Sequence, residues 1–177
     1  FVTDISISQK FKSYFRNTIN TLVAYVELLV YFNFFRKILE GNKIKKILTG
    51  LAVLYSLIVI IYITTKFGFI STRYDYNASI IGATEFVFLL VPCVYYFLQL
   101  FKTNSPSRLT DRPSFWIVTG IFFFCFISVP FYVIRRYLIN SNPELFGIIG
   151  ATFFYIPFIV NILFLIKAFL CKKSLTI

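Results

Sequence analysis

Residues 78–101 read ASIIGATEFVFLLVPCVYYFLQLF, an apolar run with one formally charged residue, Glu85, inside it. A helix needs about 20 mostly apolar residues to cross the roughly 30 Å of hydrocarbon in a bilayer. A soluble core helix of this length would carry a polar face, and this segment carries none. Working outward, four further runs satisfy the same test: 18–35 (TINTLVAYVELLVYFNFF), 47–64 (ILTGLAVLYSLIVIIYIT), 114–134 (SFWIVTGIFFFCFISVPFYVI) and 145–169 (LFGIIGATFFYIPFIVNILFLIKAF). Each is bounded by basic residues or polar turns. The strands of a membrane barrel alternate apolar and polar over about ten residues, whereas these runs are apolar all round, so helices are expected. The predicted fold is an all-α polytopic transmembrane bundle, residues 1–177 forming one helical domain with five spans.

Composition agrees with that reading. The 177 residues are 58% hydrophobic and only 14% charged, where about 25% charged residues is usual for a soluble domain. Lys and Arg number 18 against 7 Asp and Glu. In a membrane protein such an excess comes from the basic loops that set orientation, and nucleic acid is not an expected partner. Membrane lipids and other membrane subunits are. Counted over alternate sides, Lys and Arg divide 11 to 7, with the richer side holding loop 36–46, loop 102–113 and the C-terminal end. That side is expected to be cytoplasmic, which places the C-terminus inside and residue 1 outside. The chain has no Met, so it is expected to be the later part of a longer protein. Two upstream helices would complete a bundle of seven. Residues 1–17 read as a connecting segment with a turn or two of interfacial helix.

The chemistry available is narrow. There is no His, which removes His-based catalysis and the commonest metal ligand. Cys93, Cys125 and Cys171 have neither metal-ligand nor redox spacing, and no disulfide, metal or cofactor is expected. Phosphate loops and nucleophile elbows are absent. The aromatic run 122–126 and Tyr95, Tyr96 and Tyr155 read as packing surface rather than a cage. No internal repeat of the kind many transporters carry is visible.

Two acids lie inside spans, Glu27 and Glu85. Lipid makes an intramembrane carboxylate costly by a few kcal/mol, so each is expected to face the bundle interior or a water-filled cavity with a partner. Under the orientation above, both lie roughly 10–14 Å deep in the outer half, at about 1.5 Å of rise per residue, and can share one site. Helical spacing places Asn20, Ala24 and Tyr31 on the face of Glu27, and Ala78, Gly82 and Leu89 on that of Glu85. The small pair Ala78 and Gly82 invites a close helix neighbour. Arg135 and Arg136, ending the fourth span, are the expected cationic partners. Pro92, Pro130 and Pro157 interrupt three spans. Asn161 is expected to hydrogen-bond a neighbouring helix, Lys167 to reach the cytoplasmic interface, and Trp116 to anchor the start of the fourth span. Three uses of the carboxylates stay open: interhelical packing with protonated or hydrogen-bonded Glu, a ligand or ion pocket, and acid-base catalysis by the pair.

The motifs Tyr25-Val26-Glu27-Leu28-Leu29, Ala83-Thr84-Glu85-Phe86, Arg112-Pro113-Ser114-Phe115-Trp116-Ile117 with Gly120, and Val160-Asn161-Ile162-Leu163-Phe164 occur in that order. In this the chain resembles a group of small seven-helix bacterial integral membrane proteins, similar to the membrane modules that precede some sensor kinases. The resemblance spans residues 18–173. It implies the bacterial cytoplasmic (inner) membrane, two upstream helices, and recurring roles for Glu27, Glu85, Trp116 and Asn161. It implies no activity, and these 177 residues contain no kinase domain. The expected function is therefore non-enzymatic, a receptor-like sensor module or an accessory subunit of a membrane complex. The alternatives are a small-solute or lipid transporter using Glu27 and Glu85, and an intramembrane hydrolase using the same pair.

Overall fold

A computed structural model of the chain describes residues 2–68, 76–102, 109–141 and 143–174; for some of these, among them most of 2–17 and Arg136, it describes the backbone alone. The chain forms α1 (Val2–Ile38), α2 (Asn42–Gly68), α3 (Tyr76–Lys102), a short 3₁₀ turn (Leu109–Asp111), α4 (Pro113–Ser141) and α5 (Pro143–Ser174). There is no strand among the described residues. Five stretches within the helices are long and apolar enough to cross a bilayer: Thr18–Ile38, Asn42–Thr64, Ile81–Lys102, Pro113–Arg135 and Glu144–Cys171. They contain or closely match the five runs read from the sequence. The N-terminal segment differs. The helix starts at Val2 and runs unbroken into the first span, because neither Gly nor Pro occurs before Gly41 to stop it.

The turns follow from local chemistry. Gly41 adopts φ +107°, a conformation L side chains rarely take. Its carbonyl accepts from the Lys45 N–H at 3.4 Å to open α2, while the Leu39 N–H closes the last turn of α1 on the Phe35 carbonyl at 2.9 Å. The Glu40 N–H reaches the Gln99 side-chain carbonyl at 3.3 Å, tying this turn to the end of α3. Pro113 and Pro143 occupy the first positions of α4 and α5, where a missing N–H costs no helical hydrogen bond.

α1, α2 and α3 pack on one another, α4 packs on α3, and α5 packs on α4. The buried positions show the helical period that an all-round apolar sequence conceals. On α1 they are Thr21, Leu28, Phe32 and Phe35, followed by Leu39 in the turn, and on α2 Ile44, Leu48, Tyr55, Val59 and Tyr62. On α3 they include Ile81, Glu85, Leu89, Cys93, Tyr96 and Leu100, and on α4 Val118, Ile121, Cys125 and Ser128. These stripes recur at three or four residues and meet in one core. The opposite faces expose Val, Ile, Leu and Phe, the surface lipid requires.

The α4/α5 seam is built on aromatic stacking. The rings of Phe123 and Phe164 lie nearly parallel with centroids 6.0 Å apart, and Phe131 stacks on Phe146 and Phe153 at 6.3 and 5.7 Å. At the end of the seam near the 3₁₀ turn, the Trp116 indole N–H donates to the Thr110 carbonyl at 2.7 Å. Lys167 lies over the same ring at 5.8 Å, and the Cys171 thiol reaches the Thr110 carbonyl at 3.3 Å. Trp116 thus binds the turn before α4 to the end of α5. None of the three cysteines is in a disulfide, and Cys93 and Cys125 are buried.

Candidate functional site

The site is assembled by four helices around Glu85. Its position on α3 puts it on the stripe that faces the core, and its side chain is 4% exposed. Oε1 of the carboxyl is buried without a hydrogen-bond partner. Tyr55, on α2, is fully buried, and its hydroxyl also lacks a partner. That phenol lies within electrostatic reach of Glu85 first and Glu27 second. Its ring is fixed from both sides, stacked on Tyr25 of α1 at 6.3 Å and edge-on to Phe88 of α3 at 6.0 Å. Tyr25 reaches past it, with its hydroxyl 3.0 Å from that of Ser56. Ser56 in turn donates to the Ala52 carbonyl at 2.7 Å.

Glu27 lies at the margin of this site. Its side chain is exposed rather than turned into the bundle, a correction to the expectation that both acids point inward. The position lies one residue before the buried Leu28 and one after the exposed Val26, where α1 turns from core to lipid. Tyr31, one turn further along, supplies a hydroxyl as its hydrogen-bond partner, which is the cheapest neutral partner available in lipid. Glu27 lies within electrostatic range of Glu85. On its outer side Glu27 closes a shallow apolar groove along α1 lined by Ile19, Leu22, Val23 and Val26.

α4 forms the remaining wall. A Cβ on Gly82 would stand 2.6 Å from the Tyr132 ring, so the glycine is the seat on which this ring rests, one turn from Glu85. Phe86 meets Tyr132 and Phe124 edge-on at 5.3 and 5.5 Å. The close approach expected beside Glu85 is thus made at Gly82. Arg135 places its guanidinium over the Tyr132 ring at 5.9 Å from the centroid. Neither carboxylate is paired with a Lys or Arg among the described residues. The side chain of Arg136 lies outside them.

Asn161 stands apart from the carboxylates. It packs on α4, its Oδ1 2.7 Å from where a Cβ of Gly120 would be, and that oxygen has no hydrogen-bond partner. Sequence reasoning singled out Glu27, Glu85 and Tyr31 but not Tyr55 or Tyr132. The available signal for Tyr55 was its place with Ser56 in the otherwise apolar run Leu51–Ile61. Chemically, the site is rich in oxygen acceptors and phenolic hydroxyls. Among the described residues no three His, Cys, Asp or Glu gather as a metal cluster. No protein-family model, curated protein or solved structure matches the chain.

Proposed function

We propose that the protein is a non-enzymatic receptor-like sensor module of the bacterial inner membrane, binding a ligand between α1, α2 and α3 in the outer half of the bilayer. One observation carries this reading: a carboxyl oxygen of Glu85 and the hydroxyl of Tyr55 are both buried in the same aromatic core without a partner. An unsatisfied buried polar group costs about 1–3 kcal/mol, so two in one place favour a ligand that satisfies both over packing alone. The orientation rests on the basic excess of 11 to 7, which puts the C-terminus in the cytoplasm. The cellular setting rests on the resemblance of the Glu27, Glu85, Trp116 and Asn161 motifs to sensor membrane modules.

The test is a melting-temperature screen of the purified protein against extracts and small molecules, repeated with Glu85→Gln. A stabilising ligand whose effect disappears in Glu85→Gln, with neither turnover nor flux in liposomes, supports the sensor. Counterflow in liposomes that requires Glu27 or Glu85 replaces it with the transporter. Product formation that requires both carboxylates replaces it with the hydrolase, and a melting curve indifferent to every addition removes the site.

A further inference from the structure

We propose that the end of the bundle where α1 passes into α2 beside the last turn of α3 is a binding site for anionic phospholipids, whose phosphates sit among the cations of these three helix ends. The site is separate from the one around Glu85 and does not depend on the sensor reading. Arg36 and Lys37 lie in the last turn of α1, Lys43, Lys45 and Lys46 at the start of α2, and Lys102 ends α3. Glu40 is the only acid in 36–46 and 99–102. The three ends are joined in space. The Glu40 N–H donates to the Gln99 side chain at 3.3 Å, and Leu39, Ile44 and Leu100 are buried in one core.

Nothing within the described chain neutralises this charge. None of the six cationic side chains makes an ion pair or hydrogen bond with another described residue, and all but the half-buried Lys45 are exposed. Helix electrostatics accounts for only some of them. Arg36, Lys37 and Lys102 stand at helix C-termini, where the dipole favours cations, but Lys43, Lys45 and Lys46 stand at an N-terminus that repels them, with no acid in that first turn. The basic bias that orients a membrane protein would be met by cations anywhere on this side. Their convergence on one junction calls for an anion from outside.

Position identifies that anion as a lipid headgroup. The cations lie at the ends of the spans Thr18–Ile38, Asn42–Thr64 and Ile81–Lys102, the level at which lipid phosphates lie. Only Leu39, Glu40 and Gly41 separate α1 from α2, so the connection holds its lysines at that level. The flanks below suit acyl chains. Helical spacing puts Ile47, Gly50 and Leu54 on the face beneath Lys43, all exposed, with open space beside Gly50. Leu98, Tyr95 and Val91 are likewise exposed beneath Lys102. A cationic head above an apolar flank matches a phospholipid; a free phosphate would use only the head.

The whole chain in nanodiscs of phosphatidylcholine with graded phosphatidylglycerol tests this, read by melting temperature and by the lipids retained in native mass spectrometry. Phosphatidylglycerol is expected to raise the melting temperature saturably and to stay bound. The double variant Lys43→Gln with Lys46→Gln should raise the half-saturating fraction of phosphatidylglycerol roughly tenfold. Arg36→Gln with Lys37→Gln should do the same, so the test stands if either pair fails to fold. Lys172→Gln with Lys173→Gln removes as much charge from the C-terminal end and should leave the response unchanged. An equal loss in that control would mean a diffuse attraction to the leaflet and overturns the site. So does a melting temperature indifferent to phosphatidylglycerol, or equal stabilisation by inorganic phosphate in pure phosphatidylcholine.

Discussion

Tyr25 and Tyr55 stack on each other across α1 and α2, yet their hydroxyls meet opposite fates. That of Tyr25 is held at 3.0 Å by Ser56, whereas that of Tyr55 is buried alone. The same Tyr→Phe change should therefore have opposite signs at the two positions. Tyr25→Phe is expected to lower stability by about 0.5–1 kcal/mol, the net worth of one hydrogen bond. Tyr55→Phe removes an unsatisfied buried hydroxyl while keeping the ring, and should raise the stability of the unliganded protein by about 1 kcal/mol. Melting of the two variants side by side checks this, and a loss at Tyr55 would mean that its hydroxyl has a partner after all. Of the site itself, the two acids were legible in the sequence because lipid makes any charge conspicuous. Tyr55 was not, because a tyrosine among Leu, Ile and Val is equally at home packing against lipid or protein. Only the rotation of α2 about its axis decides which.

Rotation is where sequence reading fails at the scale of the element. The five helices were legible from the length of each apolar run, and Pro113, Pro143 and Gly41 marked their boundaries. Their faces were not, since residues such as Leu28 and Leu29 are chemically alike although one is buried and the other exposed. Close helix approaches reveal the faces afterwards. Gly82→Ala drives a Cβ to 2.6 Å from the Tyr132 ring, and Gly120→Ala to 2.7 Å from Asn161 Oδ1 and 3.0 Å from the Cβ of Phe164. Both are expected to destabilise by about 1–3 kcal/mol through overpacking. Gly50 has nothing within 4 Å of a new Cβ, so Gly50→Ala should stabilise α2 by roughly 0.5–1 kcal/mol. Melting temperatures in one detergent test all three, and a harmless Gly82→Ala would mean that α3 and α4 are further apart than described.

For the molecule as a whole, the count of spans followed from composition and the arrangement of the helices did not. α5 illustrates this: as apolar as its neighbours, it packs on α4, and most of its surface is not covered by the other described helices. Its orientation is open to a direct test. Cys93 and Cys125 are buried and should resist thiol reagents, while Cys171 is partly exposed at the end of α5. A membrane-impermeant maleimide is expected to label Cys171 in inverted vesicles and not in intact cells. Labelling in intact cells would reverse the topology drawn from the basic loops.

If the protein is the receptor proposed above, the exposed flank of Glu27 also changes what concentration means for it. A receptor whose pocket opens to water senses the dissolved ligand, but one that binds at the lipid margin would sense what has already partitioned into the bilayer. The quantity that sets its occupancy would then be the mole fraction of ligand in the membrane. Its response would track the composition of the surrounding leaflet, and two cells bathed in the same medium but built of different lipids would report different signals.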